Sequence, residues 1–173
     1  MILKGGKVSL RPIKLDDAPR FVKWLKDEEV RKFLSANPKG VSLKEEKEWI
    51  KSLAKKKKSE KHFAIDTKEN IHIGSLALHL NLKNKSAKLG ISIGDKNYWG
   101  KGYGIEATQL LLNHGFTKLK LHRIELGVYN YNKRAINLYK KFGFKKEGVK
   151  REAVFWKGKF YDLIQMGILQ KEW

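Results

Sequence analysis

The sequence predicts an α+β protein with a mixed, mostly antiparallel sheet of six to seven strands and about four flanking helices. Between residues 62 and 94, apolar and polar residues alternate with a period of about two in three segments separated by short polar turns, which is typical of an antiparallel meander. The third of these segments forms a strand–helix–strand unit with the amphipathic helix and the strand that come after it, an order that favours a parallel strand pair. The length of 173 residues fits a single domain, residues 1–173.

The N-terminal part contributes one strand and two helices before this meander. Residues 8–12 alternate as a short strand does. In the segment that follows, Phe21 and Trp24 fall on one face of a helix with a period of about 3.6. A second helix begins at Ser42, because Glu45 three residues later completes a capping box that satisfies the first backbone N–H groups.

The remaining elements follow from changes of period along the chain. The predicted strands cover residues 62–66, 71–82, 87–94 and 122–129, and the predicted helices cover residues 102–118 and 132–142. Two last strands, over residues 153–156 and 160–168, flank Lys157-Gly158-Lys159, which is a hairpin signal. The sequence therefore predicts seven strands and four helices in total.

The composition excludes several classes of function. The chain has no cysteine, which excludes disulfides, thiolate nucleophiles and cysteine metal sites. The five histidines are scattered and none forms an HxxxH pair, so we predict no metal site. The N-terminus carries no apolar run of signal-peptide length, and no apolar stretch of about 18 residues occurs. We therefore expect a cytoplasmic protein without membrane contact.

The net charge of +20 has two interpretations. Of the 38 basic residues only six are arginine, and the lysines are spread along the whole chain. A diffuse lysine bias is typical of organism composition or of high growth temperature. The alternative is a basic surface that steers an anionic ligand, nucleic acid or acidic protein toward a cleft.

A glycine-rich loop separates the third meander strand from the next helix. Gly100, Gly102 and Gly104 let successive backbone N–H groups turn toward one point, and the helix N-terminus adds its positive dipole, so the loop suits a phosphate. Lys101 lies inside the loop. The pattern is neither a P-loop nor a dinucleotide GxGxxG, and a tight turn without a ligand is the alternative. We favour an anion site that holds a cofactor phosphate.

With the segment from Asn132 to Phe144, this loop resembles the GNAT superfamily of acetyl-CoA-dependent N-acetyltransferases, and within it the ribosomal-protein-alanine N-acetyltransferase type. Trp99 stands where the general superfamily pattern has Gln or Arg, an exchange that this subfamily often shows. The matching features cover nearly the whole chain: Leu10-Arg11-Pro12, residues 17–24, 99–107, 132–144 and 148–152, Gly158, Asp162 and Glu172-Trp173.

The resemblance implies a central parallel strand pair, residues 87–94 and 122–129, that splays apart. In similar proteins the pantetheine arm of acetyl-CoA lies in that gap and bonds to the free backbone of the first strand, which would relieve the cost of buried unpaired groups. Asn132 is expected at the cofactor, although a plain N-cap is the alternative. The expected cofactor-binding residues are Ser92, Ile93, Gly94, Trp99, Gly100, Lys101, Gly102, Tyr103, Gly104, Ile105, Asn132 and Tyr139.

The resemblance also assigns a general acid. Tyr139 matches the tyrosine with which similar enzymes protonate the leaving thiolate, although a core aromatic is the alternative. The base is open: Glu106 and Glu125 are candidates, with a helix-dipole partner and a solvent-facing strand carboxylate as their alternatives. His79 and Asp162 are further candidates. An α-amine, with a pKa of about 8, needs less help from a base than a lysine amine of about 10.4.

The expected reaction is direct acetyl transfer from acetyl-CoA to an amine, because no thiol exists to carry a covalent intermediate. The expected acceptor is a protein N-terminus, with contact to a ribosomal protein or the ribosome, by a monomer or homodimer. A polyamine or other small amine is the alternative, but a chain of charge +20 repels a polycation. A basic RNA- or ribosome-binding module and a non-catalytic acetyl-CoA-binding protein are alternatives from other classes.

Overall fold

The computed structural model describes residues 1–34 and 41–173. Its strands are β1 (Leu3–Lys4), β2 (Val8–Pro12), β3 (Glu60–Thr67), β4 (His72–Asn81), β5 (Ser86–Ile93), β6 (Arg123–Tyr129), β7 (Lys145–Trp156) and β8 (Lys159–Leu169). Its helices are α1 (Ala18–Lys26), α2 (Glu28–Arg31), α3 (Leu43–Ser52), α4 (Tyr103–Asn113) and α5 (Lys133–Lys141).

The described strands form one sheet in the order β1-β2-β3-β4-β5-β6-β8-β7. Within it, β5 and β6 pair in parallel and the other described neighbours pair antiparallel, which confirms the predicted mixed, mostly antiparallel α+β class. The predicted capping box is also confirmed: the Glu45 N–H donates to Ser42 Oγ, and the Ser42 N–H donates to Glu45 Oε2. No helix among the described residues is long and apolar enough to cross a membrane.

The element counts differ from the prediction, with eight strands for six to seven and five helices for about four in the described chain. The additional elements, β1 with two residues and α2 with four, are too short to show a period. The first strand of the last hairpin begins at Lys145 and not at residue 153. It is the edge of the sheet and is exposed along most of its length, so no alternation of apolar residues marks its charged first half.

The helices cover both faces of the sheet. The Phe63 ring contacts His114, just beyond α4, whereas the neighbouring His62 ring contacts Trp49 of α3. Because successive strand residues point to opposite faces, α4 and α3 lie on opposite sides. The larger core packs against α4 and α5, and its fully buried members include Ile65, Leu78, Leu111, Ile124 and Ile168. A smaller cluster joins the N-terminal helices: Ala18, Phe21, Trp24, Val30 and Ile50.

The two parallel strands separate after a short paired segment. Ser86, Ala87 and Lys88 pair with Arg123, Ile124 and Glu125, and no β5–β6 pair follows among the described residues. Beyond this point β6 keeps its pairing with β8 as far as Tyr129. A gap therefore opens between the C-terminal halves of β5 and β6.

Candidate active site

A cavity of about 830 Å³ occupies the gap between β5 and β6. One end reaches the glycine loop before α4, and the other lies against α2 and α3. We call the second the helix end, and Val30, Phe33, Leu34 and Trp49 line it. A volume of this size is typical of a site for a small molecule or cofactor.

Small residues form the floor of the cavity. Ala77 faces Gly90 across β4 and β5, and Ser75 faces Ser92, so these four positions lie on one side of the sheet. All four line the cavity. A Cβ atom at Gly90 would meet nothing within 4 Å, so the space above this position is open. The floor thus leaves room for a ligand over the unpaired end of β5.

The glycine loop fits an anion. Gly100 and Gly102 have φ values of +74° and +86°, and Gly102 is the N-cap of α4. These angles are easy for glycine and strained for other residues, so the backbone at the helix N-terminus stays uncovered. Lys101 and Tyr103 lie outside the lining. Five of the seven expected loop residues line the cavity: Trp99, Gly100, Gly102, Gly104 and Ile105.

Trp99 fastens this loop to the open end of β5. Its indole Nε1–H donates to the Ile93 carbonyl oxygen at 2.7 Å. The Arg134 guanidinium lies over the Trp99 ring, 4.6 Å from its centroid, an arrangement that cation–π attraction stabilises. The tryptophan that replaces a polar residue in the family pattern therefore has a structural role and positions an arginine beside the cavity.

Three further expected cofactor residues have different surroundings. Ser92 and Ile93 line the cavity, but Gly94 lies outside the lining and under Trp24 of α1. A Cβ atom at Gly94 would lie 2.1 Å from Trp24 Cδ2, so this glycine permits the packing of α1 on the sheet. Asn132 lines the cavity and also caps α5, since its Oδ1 accepts the Ala135 N–H at 3.2 Å. Its N-cap function is thus observed.

Tyr139 reaches the cavity from α5. It is 6% exposed, it lines the cavity, and its ring packs 5.7 Å from that of Phe144. Burial raises the pKa of the Tyr139 phenol to about 12. At neutral pH the phenol is therefore a protonated donor at the edge of the site.

The first candidate base, Glu106, has a structural position. Its Oε1 accepts the Gly6 N–H at 2.5 Å, and its Oε2 accepts the N–H groups of Lys7 at 2.6 Å and Val8 at 3.0 Å. Glu106 does not line the cavity. The carboxylate thus joins α4 to the turn between β1 and β2, which differs from the role expected for a base.

The other expected bases also lie outside the cavity lining. Glu125 of β6 and Glu147 of β7 both bind Arg123, the first residue of β6. Asp162 accepts the Glu152 N–H at 2.9 Å in a separate surface depression. His79 is half exposed and packs behind another histidine, with ring centroids 5.4 Å apart.

That other histidine, His62, was missed by the sequence analysis. It lines the cavity near the helix end, where its ring lies edge-on to Trp49 with centroids 5.6 Å apart. Its Nε2 lies 2.7 Å from Glu60 Oε2. Desolvation lowers the His62 pKa, so the ring is neutral at pH 7. The available signal was the alternation Glu60-Lys61-His62, but the predicted strand began at residue 62 and excluded the glutamate.

Glu60, His62 and His79 have the donor atoms of a metal site, within 4.8 Å of one another. The Lys56 ammonium lies 3.6 Å from Glu60 Oε1, and the whole chain carries +20. Both oppose the binding of a divalent cation. We therefore do not assign these residues as metal ligands.

The charge of the cavity is one-sided. Lys88, Arg134 and Lys141 are part of the lining, and no Asp or Glu occurs among the described lining residues. Residues 35–40, outside the described chain, contain no Asp or Glu either. The site therefore favours an anionic ligand at the loop and an uncharged or weakly charged group at the helix end.

The cavity and its loop agree with comparisons to known proteins. A sequence model described as acetyltransferase (GNAT) domain matches residues 7–145. The chain is 32% identical over 171 residues to "Uncharacterized N-acetyltransferase p20" of Bacillus licheniformis, which covers 96% of this chain and 95% of that protein. It is 33% identical over 116 residues to spermidine N(1)-acetyltransferase of Vibrio cholerae, which covers 66% of each.

A solved structure gives the same fold. The crystal structure of spermidine N-acetyltransferase from Vibrio cholerae in complex with CoA and spermine superposes with a TM-score of 0.87. The sequence identity is 27%, and the match covers 95% of this chain and 96% of that one.

Proposed function

Because this chain belongs to the GNAT family and is an acetyl-CoA-dependent N-acetyltransferase, we propose that its acceptor is the α-amine of a protein N-terminus. One observation carries the proposal: the described lining of the cavity contains no carboxylate, and its helix end is apolar and aromatic. A polyamine carries several positive charges, and a site that selects it needs acidic partners. A single α-amine next to an apolar first side chain needs none.

Acetyl-CoA fits the cavity with its phosphates at the glycine loop and its acetyl group toward the helix end. The phosphates belong at the glycine loop, where Gly100 and Gly102 expose the backbone and Arg134 supplies positive charge. Ser92 and Ile93 lie beside the gap that suits the pantetheine arm. When bound, acetyl-CoA supplies an acetyl thioester. The acceptor amine then enters from the helix end, past Phe33 and Trp49.

Tyr139 is our candidate for the group that assists the leaving sulfur. With a pKa of about 12 the phenol keeps its proton and donates a hydrogen bond to negative charge that develops on the sulfur. Such a donor stabilises charge more strongly in a buried site than in water. The position of Tyr139 in the lining supports this role.

The charge of the whole chain favours a particular carrier of the amine. A protein of net charge +20 attracts an acidic protein or an RNA-rich particle over a long range, which raises the rate of encounter. This supports a ribosomal protein or the ribosome as the source of the N-terminus, in the cytoplasm. The resemblance to the ribosomal-protein-alanine type supports the same acceptor.

Spermidine is the second candidate acceptor. The observation in its favour is the similarity, in sequence and in structure, to spermidine N-acetyltransferase of Vibrio cholerae, whose solved structure holds CoA and spermine. The lack of carboxylates in the described lining is the observation against it.

A panel of acceptors separates the two candidates. The panel contains peptides with a free α-amine and blocked lysines, peptides with a blocked α-amine and free lysines, and spermidine. Release of CoA thiol gives kcat/KM, and mass spectrometry locates the acetyl group. We expect the free α-amine peptides to exceed spermidine by at least about tenfold, or about 1.4 kcal/mol of transition-state binding. A preference for spermidine would overturn the proposal.

A further inference from the structure

We propose that His62 is the general base of acetyl transfer, oriented by Glu60 and connected to solvent through His79. The inference rests on the proposed reaction with an amine acceptor, and it holds for any amine that this enzyme acetylates. None of the four expected bases lines the cavity, whereas His62 does and can accept the proton there.

The position of His62 follows from the register of three strands. His62 in β3 faces Ala77 in β4, and Ala77 faces Gly90 in β5. The three residues therefore point to one side of the sheet, where the small floor residues leave space. His62 is the large titratable side chain at the end of this row, next to Trp49 of the helix end. An amine that enters from the helix end passes this imidazole.

Glu60 fixes the form of the ring. The distance of 2.7 Å between His62 Nε2 and Glu60 Oε2 is that of a hydrogen bond. Because an ionised carboxylate only accepts, Nε2 carries the hydrogen and Nδ1 keeps its lone pair. The same carboxylate stabilises the positive charge that the imidazole gains when it takes a proton. Oriented imidazole and carboxylate are a common arrangement for general-base catalysis.

The surroundings of His62 keep its ring neutral before reaction. Burial is the largest cause that lowers its pKa, and the positive groups Lys56 and His79 act in the same direction. Glu60 acts in the opposite direction. The packed side chain from α3, Trp49, is uncharged. At neutral pH the ring is therefore ready to accept a proton.

His79 connects the cluster to water. Its side chain is 50% exposed, and its Nδ1 lies 3.7 Å from Glu60 Oε1. Its neighbour His62 is less accessible, with 12% of its side chain exposed. The cluster thus runs from the cavity to the surface, and the proton taken from the amine returns to solvent between turnovers.

The step balances as follows for a neutral amine. The nitrogen forms a bond to the acetyl carbon and loses one proton to Nδ1 of His62. The carbon–sulfur bond breaks, and the sulfur keeps the bonding electron pair beside the Tyr139 phenol. One proton leaves the amine and one reaches the thiol, by way of solvent, so no other reactant is needed.

The test is the pH profile of the variants His62→Gln and Glu60→Gln. With an acceptor found in the panel, log kcat/KM of the wild type falls on the acid side with a limiting slope of two, one proton on the amine and one on His62. We expect His62→Gln to lower kcat by about 10²- to 10⁴-fold at pH 7 and to reduce the slope to one. Glu60→Gln removes the group that raises the His62 pKa. In the profile of this variant we therefore expect the fall that is due to His62 protonation to occur at lower pH than in the wild type.

Controls separate this inference from loss of folding and from a wrong acceptor. His122→Gln changes an exposed histidine outside the site and keeps wild-type kinetics. The KM for acetyl-CoA and the circular dichroism spectrum report whether each variant folds and binds. The profile is measured on α-amine peptides and on spermidine, so a change of preferred acceptor leaves the His62 test intact.

Three outcomes would overturn the inference. In the first, His62→Gln keeps kcat within about threefold of the wild type. In the second, this variant loses activity, but its log kcat/KM still falls with a slope of two on the acid side. In the third, EDTA abolishes wild-type activity and Zn²⁺ restores it. The last outcome would assign the three side chains to a metal. A tenfold change corresponds to about 1.4 kcal/mol in the barrier, so the expected loss is well resolved from the threefold limit.

Discussion

The carboxylate of Glu106 lies 2.6 Å from the backbone nitrogen of Lys7, across the junction between α4 and the turn that joins β1 to β2. The Lys7 ammonium in turn donates to the Lys101 carbonyl oxygen in the glycine loop at 3.2 Å. Glu106 and Lys7 therefore join the N-terminal strands to α4 and to the glycine loop. Glu106, a candidate base in the sequence, thus stabilises the loop that we assign to the cofactor phosphates.

Replacement of Glu106 by alanine should reduce stability and leave the chemistry intact. The variant leaves three backbone N–H groups without their acceptor, and we expect unfolding to become easier by about 1 to 3 kcal/mol. Urea unfolding measures this difference. At a temperature where the variant is folded, kcat should stay within about threefold of the wild type, less than 1 kcal/mol in the barrier. A large loss of kcat at unchanged stability would restore Glu106 as a base.

Replacement of Tyr139 by phenylalanine should slow turnover. The ring packing against Phe144 is kept, but the donor at the cavity is lost. We expect kcat to fall by about 10²- to 10³-fold with little change in the KM for acetyl-CoA, as for other donors to a developing charge. Tyr161→Phe, at a tyrosine outside the cavity lining, is the matched control. Equal rates for the two variants would show that Tyr139 is a core aromatic.

Replacement of Gly102 by alanine tests the glycine loop. At a φ of +86° an L-residue is strained by about 1 to 2 kcal/mol, and the change falls on the N-cap of α4. We expect weaker binding of acetyl-CoA, by about tenfold in Kd, which is about 1.4 kcal/mol. Gly148→Ala is the control, because a Cβ atom there meets nothing within 4 Å and no strain is expected. Isothermal titration calorimetry compares the two variants, and equal Kd values would argue against an anion site.

Replacement of Gly90 by leucine should obstruct the cavity without harm to the fold. The space above Gly90 is open, so the new side chain enters the site. We expect kcat/KM for the acceptor to fall by at least about tenfold, or about 1.4 kcal/mol in transition-state binding, while the thermal midpoint changes little. The exposed-edge variant Gly148→Leu should keep wild-type kinetics. Normal turnover by Gly90→Leu would place the acceptor path elsewhere.

The pH dependence of stability should contain a contribution from His114. Its ring is buried beside Phe63, both ring nitrogens lack a hydrogen-bond partner among the described residues, and desolvation lowers its pKa. The unfolded chain binds a proton at a pKa of about 6.5, above the folded value, so stability falls as pH drops below about 6.5.

His114→Leu removes this contribution and the cost of two buried unpaired nitrogens. We expect the variant to be more stable by about 1 to 3 kcal/mol at pH 7, with a weaker loss toward pH 5. His72, whose pKa is also lowered mainly by desolvation, retains part of the acid sensitivity. Urea unfolding at pH 5, 6 and 7 gives the comparison. A variant less stable than the wild type at pH 7 would contradict the expectation.

The sequence predicted most of the fold because periodicity and capping are local. The meander strands, the Ser42–Glu45 capping box and the helix that carries Tyr139 follow from residues within a few positions of one another. The early start of β7 escaped prediction because an exposed edge strand buries neither face. β1 escaped because two residues carry no period; only pairing with Leu10 and Ser9 defines it.

The sequence likewise identified only some residues of the candidate site. The glycine loop and Tyr139 were identified as residues, and the structure places both at one cavity. Glu106 was the first candidate base, and a carboxylate on the first turn of a helix gives no sign that three backbone N–H groups of a distant turn will bind it. His62 was missed for a similar reason, because its neighbour His79 is 17 positions away and meets it only across β3 and β4.

By itself, the sequence determined the α+β class, the absence of cysteine chemistry, the net charge of +20 and the glycine-rich loop, because each depends on composition or on neighbouring residues. The tertiary structure alone decided where β5 and β6 part, which carboxylates lie outside the cavity lining, and which histidine enters it. These features depend on strand register and on contacts between residues far apart in the chain. A shift of one residue in register would turn His62 to the other face of the sheet, and no local pattern records that choice.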